Sequence, residues 1–154
     1  LADARMEAAL RRVSVERVVS GAGILEIFES LADTGRCDVP ASLREAIASG
    51  HPAAGISKAA MEDRVPICVE TMRRFVGAYG AEAGNLALRT VATGGMYIGG
   101  GIAPKILPAL TTGQFLPAFR AKAPFTQMLS DIPVKVILNA GAGLIGAANF
   151  CFLT

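Results

Sequence analysis

The chain has no tryptophan, a single histidine, three cysteines and only 6% aromatic residues. Each shortage narrows what the protein can be. His51 has no second imidazole to share a zinc ion with, and it stands in Ser49-Gly50-His51-Pro52, which reads as an exposed loop. Cys37, Cys68 and Cys151 lie far apart, form no CxxC pair and are odd in number. That favours a reducing compartment over a disulfide framework and gives no metal signature. No GxxxxGKS/T phosphate loop occurs. No GxSxG elbow occurs either, although a Ser/His/Asp arrangement around His51 stays open without one. Basic runs are missing: 15 Lys and Arg against 13 Asp and Glu leave a net charge of +2, scattered along the chain, so nothing points to nucleic acid. With so few aromatic rings, the expected core is built from Ala, Leu, Ile and Val.

What is present is apolar: 52% of the residues are hydrophobic, and 154 residues suit one domain or part of a larger one. The opening LADARMEAALRRV mixes charges with alanines on a helical period and carries no apolar leader core, so it reads as a helix over residues 1–12. Residues 136–154 carry no charge, but Asn139, Gly141, Gly143, Gly146 and Asn149 interrupt them. A spanning helix wants about 20 predominantly apolar residues. The preferred reading is a buried strand followed by a helix of small residues, with a membrane tail as the alternative.

Ser20 is a good helix N-cap, and Ile24, Leu25, Ile27, Phe28 and Leu31 follow it on a helical period. Short helices are expected over residues 42–49 and 56–61. The longest element begins near Pro66, a residue tolerated at a helix's first position, and runs to about Val91. Its apolar stripe reads Val65, Val69, Met72, Val76, Tyr79, Ala83 and Leu86. Gly77, Gly80 and Gly84 recur along it, and each would cost about 1 kcal/mol relative to Ala in an exposed helix. Close packing inside the chain is the favoured explanation, and a helix pair across a dimer interface is the other. Further helices are expected over residues 103–110, 113–122 and 125–129, and a strand over residues 132–138 with Pro133 at its first residue or on an edge. Strands alternating with helices point to an α/β fold, helix-rich around a small sheet.

Two places carry possible chemistry. The run Met96-Tyr97-Ile98 reads as a buried strand that opens into Gly99, Gly100 and Gly101 and then a helix start. Without a Cβ, backbone and ligand approach closely there, and a helix N-terminus offers free N–H groups. A nucleotide-binding turn and a bare strand-to-helix corner both fit. A Rossmann site does not, because Asp131 lies too far on to serve a ribose. The other place is Glu16, just before the Ser20-Gly21 turn; by default it is a surface charge or an ion pair with Arg17 or Arg5.

The blocks SVERVVSGAGIL, AGNLALRTVATGGMYIGGGIAPKILP, FLPAFRAKAPF, IPVKVI and AGLIGAANF, in that order, resemble the C-terminal half of the bacterial glucokinase family, hexokinase-type sugar kinases of the actin-like ATPase superfamily. The resemblance implies part of the C-terminal domain of a ribonuclease H-like fold. It implies a two-domain, cytoplasmic, homodimeric enzyme that transfers the γ-phosphoryl of Mg2+-bound ATP to the 6-hydroxyl of D-glucose, with no nucleic-acid or membrane partner. It places Glu16 on the glucose hydroxyls and Gly99, Gly100 and Gly101 beside the adenosine of ATP. It makes Gly143 to Ala148 part of an interdomain connecting helix. The family's Asp-x-Gly-Gly-Thr loop, its Asn-Asp catalytic pair and its Glu-Gly-Gly-His motif do not occur here, and Lys122-Ala123-Pro124-Phe125 stands for the usual Lys-Gly-Arg-Phe. The expectation is therefore a glucokinase fragment, residues 1–154 of a partial C-terminal domain without its N-terminal domain. It carries no catalytic base or metal ligand and is inactive alone, with Mg2+ and the phosphates held mainly by the missing half. The alternatives are a non-catalytic sugar- or nucleotide-sensing module of the same superfamily and an unrelated α/β binding domain.

Overall fold

The computed structural model describes residues 14–35, 39–48 and 50–152. The helix expected over residues 1–12, together with Arg5 and Cys37, lies outside them. A 3-10 turn, Val15–Arg17, leads into α1, Gly21–Asp33. Then follow α2, Ala41–Ala48; α3, Pro52–Met61; and α4, Pro66–Thr90. Strand β1, Met96–Ile98, is followed by a second 3-10 turn, Ala103–Ile106, and by α5, Leu107–Thr112. The chain continues through α6, Phe115–Arg120; α7, Thr126–Asp131; strand β2, Val134–Val136; and α8, Ala142–Phe152. The two strands pair in parallel, Met96 opposite Val134 and Ile98 opposite Val136. The arrangement is helix-rich around a small parallel sheet, as the alternating pattern implies.

Local rules account for most of the boundaries. The Ser20 hydroxyl accepts from the Gly23 N–H at 3.0 Å and so caps α1. Helices α3 and α4 each begin on a proline, where the missing N–H has no helical partner to lose. That lets α3 start at Pro52, ahead of the expected Ile56. The helix expected over residues 103–110 is instead a 3-10 turn that gives way to α5. Pro108 has no N–H to donate to the Pro104 carbonyl, so one continuous α-helix cannot run through both. The strand expected over residues 132–138 shortens to Val134–Val136, and the Pro133 carbonyl, just outside it, accepts from the Met96 N–H at 2.9 Å.

The buried side of α4 differs from the expected stripe. Met72, Val76 and Ala83 are buried, but Val69 is 39% exposed and Leu86 46% exposed. The face turned inward carries Ile67, Cys68, Thr71, Met72, Phe75, Val76, Ala83 and Ala87. It is set by Phe75 and by two glycines rather than by the branched residues. A Cβ on Gly80 would collide with the backbone carbonyl of Phe115, and one on Gly84 with that of Phe119. Helix α6 thus lies directly on the backbone of α4, as the packing explanation of those glycines requires. Gly77 makes no such approach; a Cβ there would meet Gln114 Cβ at an ordinary 3.8 Å.

This contact also overturns the expectation of a core without aromatics. Phe75 and Phe119 are the largest fully buried side chains. Ring centroids run Phe75 to Tyr79 at 5.9 Å, Tyr79 to Phe115 at 5.6 Å and Phe115 to Phe119 at 6.4 Å. The rings are few but concentrated where α4 meets α6, and tilted and edge contacts at such spacings add to their burial. Ile24, Phe28 and Leu31 of α1 and Ile56, Ala59 and Ala60 of α3 complete the core.

Gly80→Ala and Gly84→Ala should each destabilise the protein by about 1–3 kcal/mol, because the facing backbone must shift. Gly77→Ala should leave stability unchanged or raise it by up to about 1 kcal/mol. Denaturant unfolding of the three variants measures the difference.

Candidate functional site

A cleft of about 600 Å³ opens between the N-terminus of α1, the length of α3 and the turn after β1. Its volume suits a small-molecule ligand. Ile24 lines it from α1, Ala53, Ala54 and Met61 from α3, and Ile102 and Ile106 from the turn. Gly21 and Gly101 bring bare backbone to its surface. His51, Lys58, Glu62 and Lys105 supply polar groups. Lys58 of α3 and Glu62, the residue that follows the helix, approach to 3.8 Å.

The glycine turn stands at this cleft. Met96 and Ile98 of β1 are buried, whereas Tyr97 faces out under the Lys135 ammonium, 5.7 Å from the ring centroid. Of the three glycines that follow, only Gly100 takes a left-handed backbone, with φ +99°. Any side chain there would be strained whatever room it had. At Gly101 φ is not left-handed, a Cβ would meet nothing within 4 Å, and the residue lines the cleft. Gly99 packs behind the turn, where a Cβ would meet Ile137 Cδ1 at 3.7 Å. The three residues therefore divide the work: Gly100 turns the chain and Gly101 leaves space on the ligand side. The helix start expected after them is a 3-10 turn.

Glu16 is exposed in the turn Val15–Arg17. Its expected partner Arg17 turns instead to Glu26 of α1, 3.8 Å away. The turn is held firmly all the same. A Cβ on Gly23 would collide with the Val18 carbonyl and lie 2.7 Å from that of Arg17, so the turn sits flush against the first turn of α1. Glu16 and the cleft residue Gly21 are thus the two ends of one short, fixed run of chain. Five residues span at most about 18 Å even when fully extended.

The remaining reactive groups lie elsewhere. Burial, and secondarily the charge of Asp63, pushes the Cys68 thiol up to about 11, which leaves it protonated and inert at neutral pH. Glu70 accepts from Arg73 at 2.6 Å and from Arg74 at 2.8 Å, and these bonds hold its carboxyl down at about 2. A second cleft, of about 550 Å³, lies between α1 and α2 and carries Glu29, Asp33 and Arg44. Neither Glu16 nor the glycine run borders it. No three His, Cys, Asp or Glu side chains gather among the described residues. No helix there is long and apolar enough to cross a membrane, and the uncharged C-terminal stretch carries the end of β2 and the 11-residue α8 among its described residues. The small residues from Gly143 to Ala148 lie on that helix, all exposed.

One solved structure that this chain is similar to belongs to a sugar kinase. It is a glucokinase from an Antarctic psychrotroph, with a TM-score of 0.77 and 30% identity over 94% of this chain and 42% of that one. Among curated proteins, the glucokinase of Nostoc punctiforme is 43% identical over 150 residues, 90% of this chain and 44% of its own length. That of Synechocystis is also 43% identical, over 42% of its length. The family model described as Glucokinase matches residues 3–153, and the chain belongs to the glucokinase family. It spans about two-fifths of the length of the curated relatives it matches.

Gly23→Ala should lower stability by about 1–3 kcal/mol, since the Val18 carbonyl must move to admit the methyl group. Ser20→Ala, which removes only the cap, should cost about 1 kcal/mol. Denaturation midpoints of both variants test whether packing or capping chiefly fastens the Glu16 turn.

Proposed function

We propose that this chain is the part of a glucokinase that supplies a sugar-contacting carboxylate and one wall of the nucleotide cleft. In this reading the complete enzyme transfers the γ-phosphoryl of ATP to the 6-hydroxyl of D-glucose. The chain forms part of the C-terminal domain of a two-domain, actin-like ATPase fold, and the enzyme works as a cytoplasmic homodimer. Family membership supports the activity. The observation that carries the site is the juxtaposition of Glu16 and the cleft. The turn bearing Glu16 is packed against the same helix start whose Gly21 lines the cleft together with Gly101.

The residues present fit a nucleoside. Ile24, Ala53, Ala54, Ile102 and Ile106 offer apolar surface to a flat ring, and Gly101 leaves room for close approach. Gly99 and Gly100 hold that wall in place. ATP, when bound, supplies the phosphoryl group. Glu16 does the sugar's share: an ionised carboxylate accepts hydrogen bonds from adjacent hydroxyls and so fixes the ring's position. Positioning of this kind is, beside electrostatic stabilisation of the phosphates, what a protein contributes to phosphoryl transfer. The described residues gather no group of three or more His, Cys, Asp or Glu that would hold a metal by themselves, and no step here is routed through a metal ion.

In the complete enzyme, Glu16→Ala should lower kcat/KM for glucose by roughly ten-fold to more than a hundred-fold, the loss of a charge-assisted hydrogen bond. The KM for ATP should hardly move. Steady-state kinetics with each substrate varied in turn check this. Unchanged glucose kinetics in a folded Glu16→Ala enzyme would remove the sugar contact from the reading.

Gly101→Val should do the reverse, weakening ATP binding while leaving the glucose Kd near its original value. Its side chain projects into open space from an unstrained backbone, so a general loss of stability is not expected. Calorimetric titration with each ligand separates the two outcomes.

A further inference from the structure

Lys105 has no role in the reading above, yet it lines the same cleft. The charges around it differ in kind. Lys58 has a carboxylate partner, Glu62 at the end of its own helix, at 3.8 Å. Among the described residues, Lys105 has no carboxylate within ion-pair distance. It stands exposed on the turn Ala103–Ile106, four residues past Gly101, with the apolar Ile102 and Ile106 on either side. An unpaired ammonium at the border of an apolar slot suits a ligand that is flat and neutral at one end and anionic at the other.

We infer that Lys105 holds the phosphate chain of the nucleotide whose nucleoside occupies this cleft, and so makes the cleft select nucleotides over nucleosides. The inference rests on the proposal that the cleft takes adenosine. The ammonium donates to a phosphate oxygen and acts as a point charge. Its place on the short turn that follows Gly101 ties the grip on the phosphate to the wall beside the ring.

The test is a calorimetric series with adenosine, AMP, ADP and ATP on the full chain, comparing the unmodified protein with Lys105→Gln and Lys105→Arg. Lys105→Gln should leave adenosine unchanged and weaken the phosphorylated ligands by about ten-fold. The first member of the series to weaken identifies the phosphate contacted. Lys105→Arg should recover most of the loss. The affinity of the unmodified protein for ATP should also fall with added salt more steeply than that of Lys105→Gln. Equal weakening of adenosine would mean that Lys105 touches the nucleoside or only shapes the turn, and would overturn the inference, as would an unchanged series. Gly101→Val separates this from a failure of the underlying reading. If that variant abolishes adenosine binding while Lys105→Gln changes nothing, the cleft stands and the role of Lys105 falls. If Gly101→Val leaves adenosine and ATP untouched, the cleft itself is misassigned and the inference falls with it.

Discussion

The structure depends on the approach of α6 to α4 at Gly80 and Gly84. No side chain separates the two helices there; the carbonyls of Phe115 and Phe119 occupy the space that Cβ atoms would fill. That intimacy draws Phe115 and Phe119 down beside Phe75 and Tyr79 and makes a ring-packed centre in a chain with few rings. The other side of α4 can then receive α1 and α3, whose Ile24, Phe28 and Ile56 close the core. The cleft is a product of this order. Its walls are α1 and α3, placed by α4, and its third side is the turn that leaves β1.

Interactions of short range were legible in the residues themselves. Ser20 capping α1 needs only a hydroxyl three residues ahead of a free N–H, and it is found so. The start of α4 at Pro66 and the close packing at Gly80 and Gly84 also follow from stereochemistry that each residue carries with it, whereas the same kind of start at Pro52 went unread. The inward face of α4 was not legible in the same way. Val69 and Leu86 satisfy an apolar period as well as Phe75 and Ala87 do, and only the partner helix decides between them. The period of a helix reports that a face exists, whereas its direction is a tertiary fact.

The candidate site divides along the same line. That the glycine run would follow a strand could be read from Met96-Tyr97-Ile98. That Gly100 alone would take the left-handed conformation, with Gly101 left to face the cleft, depends on how the chain turns toward Ala103. The partner of Arg17 was missed for a related reason. Glu16 is its sequence neighbour, but the 3-10 turn carries the guanidinium toward Glu26 on the next helix. The contribution of α3 was missed altogether. His51, Lys58 and Glu62 have no motif, and they join the site only because α3 folds against α1.

The far end of α4 carries one more feature. Its last turn is closed by Val91, a branched residue held at φ 49° and ψ 51°, where the Ala92 N–H reaches back to the Ala87 carbonyl at 3.0 Å. This is the left-handed cap that glycine or asparagine ordinarily provides, and a valine there carries strain on the order of 1–3 kcal/mol. The side chain is 61% exposed and fills no part of the core in return. The longest helix thus ends on a residue chosen against its own backbone preference. For thermal hardening, this cap is a better starting point than the crowded interior, because relieving it disturbs no packed neighbour.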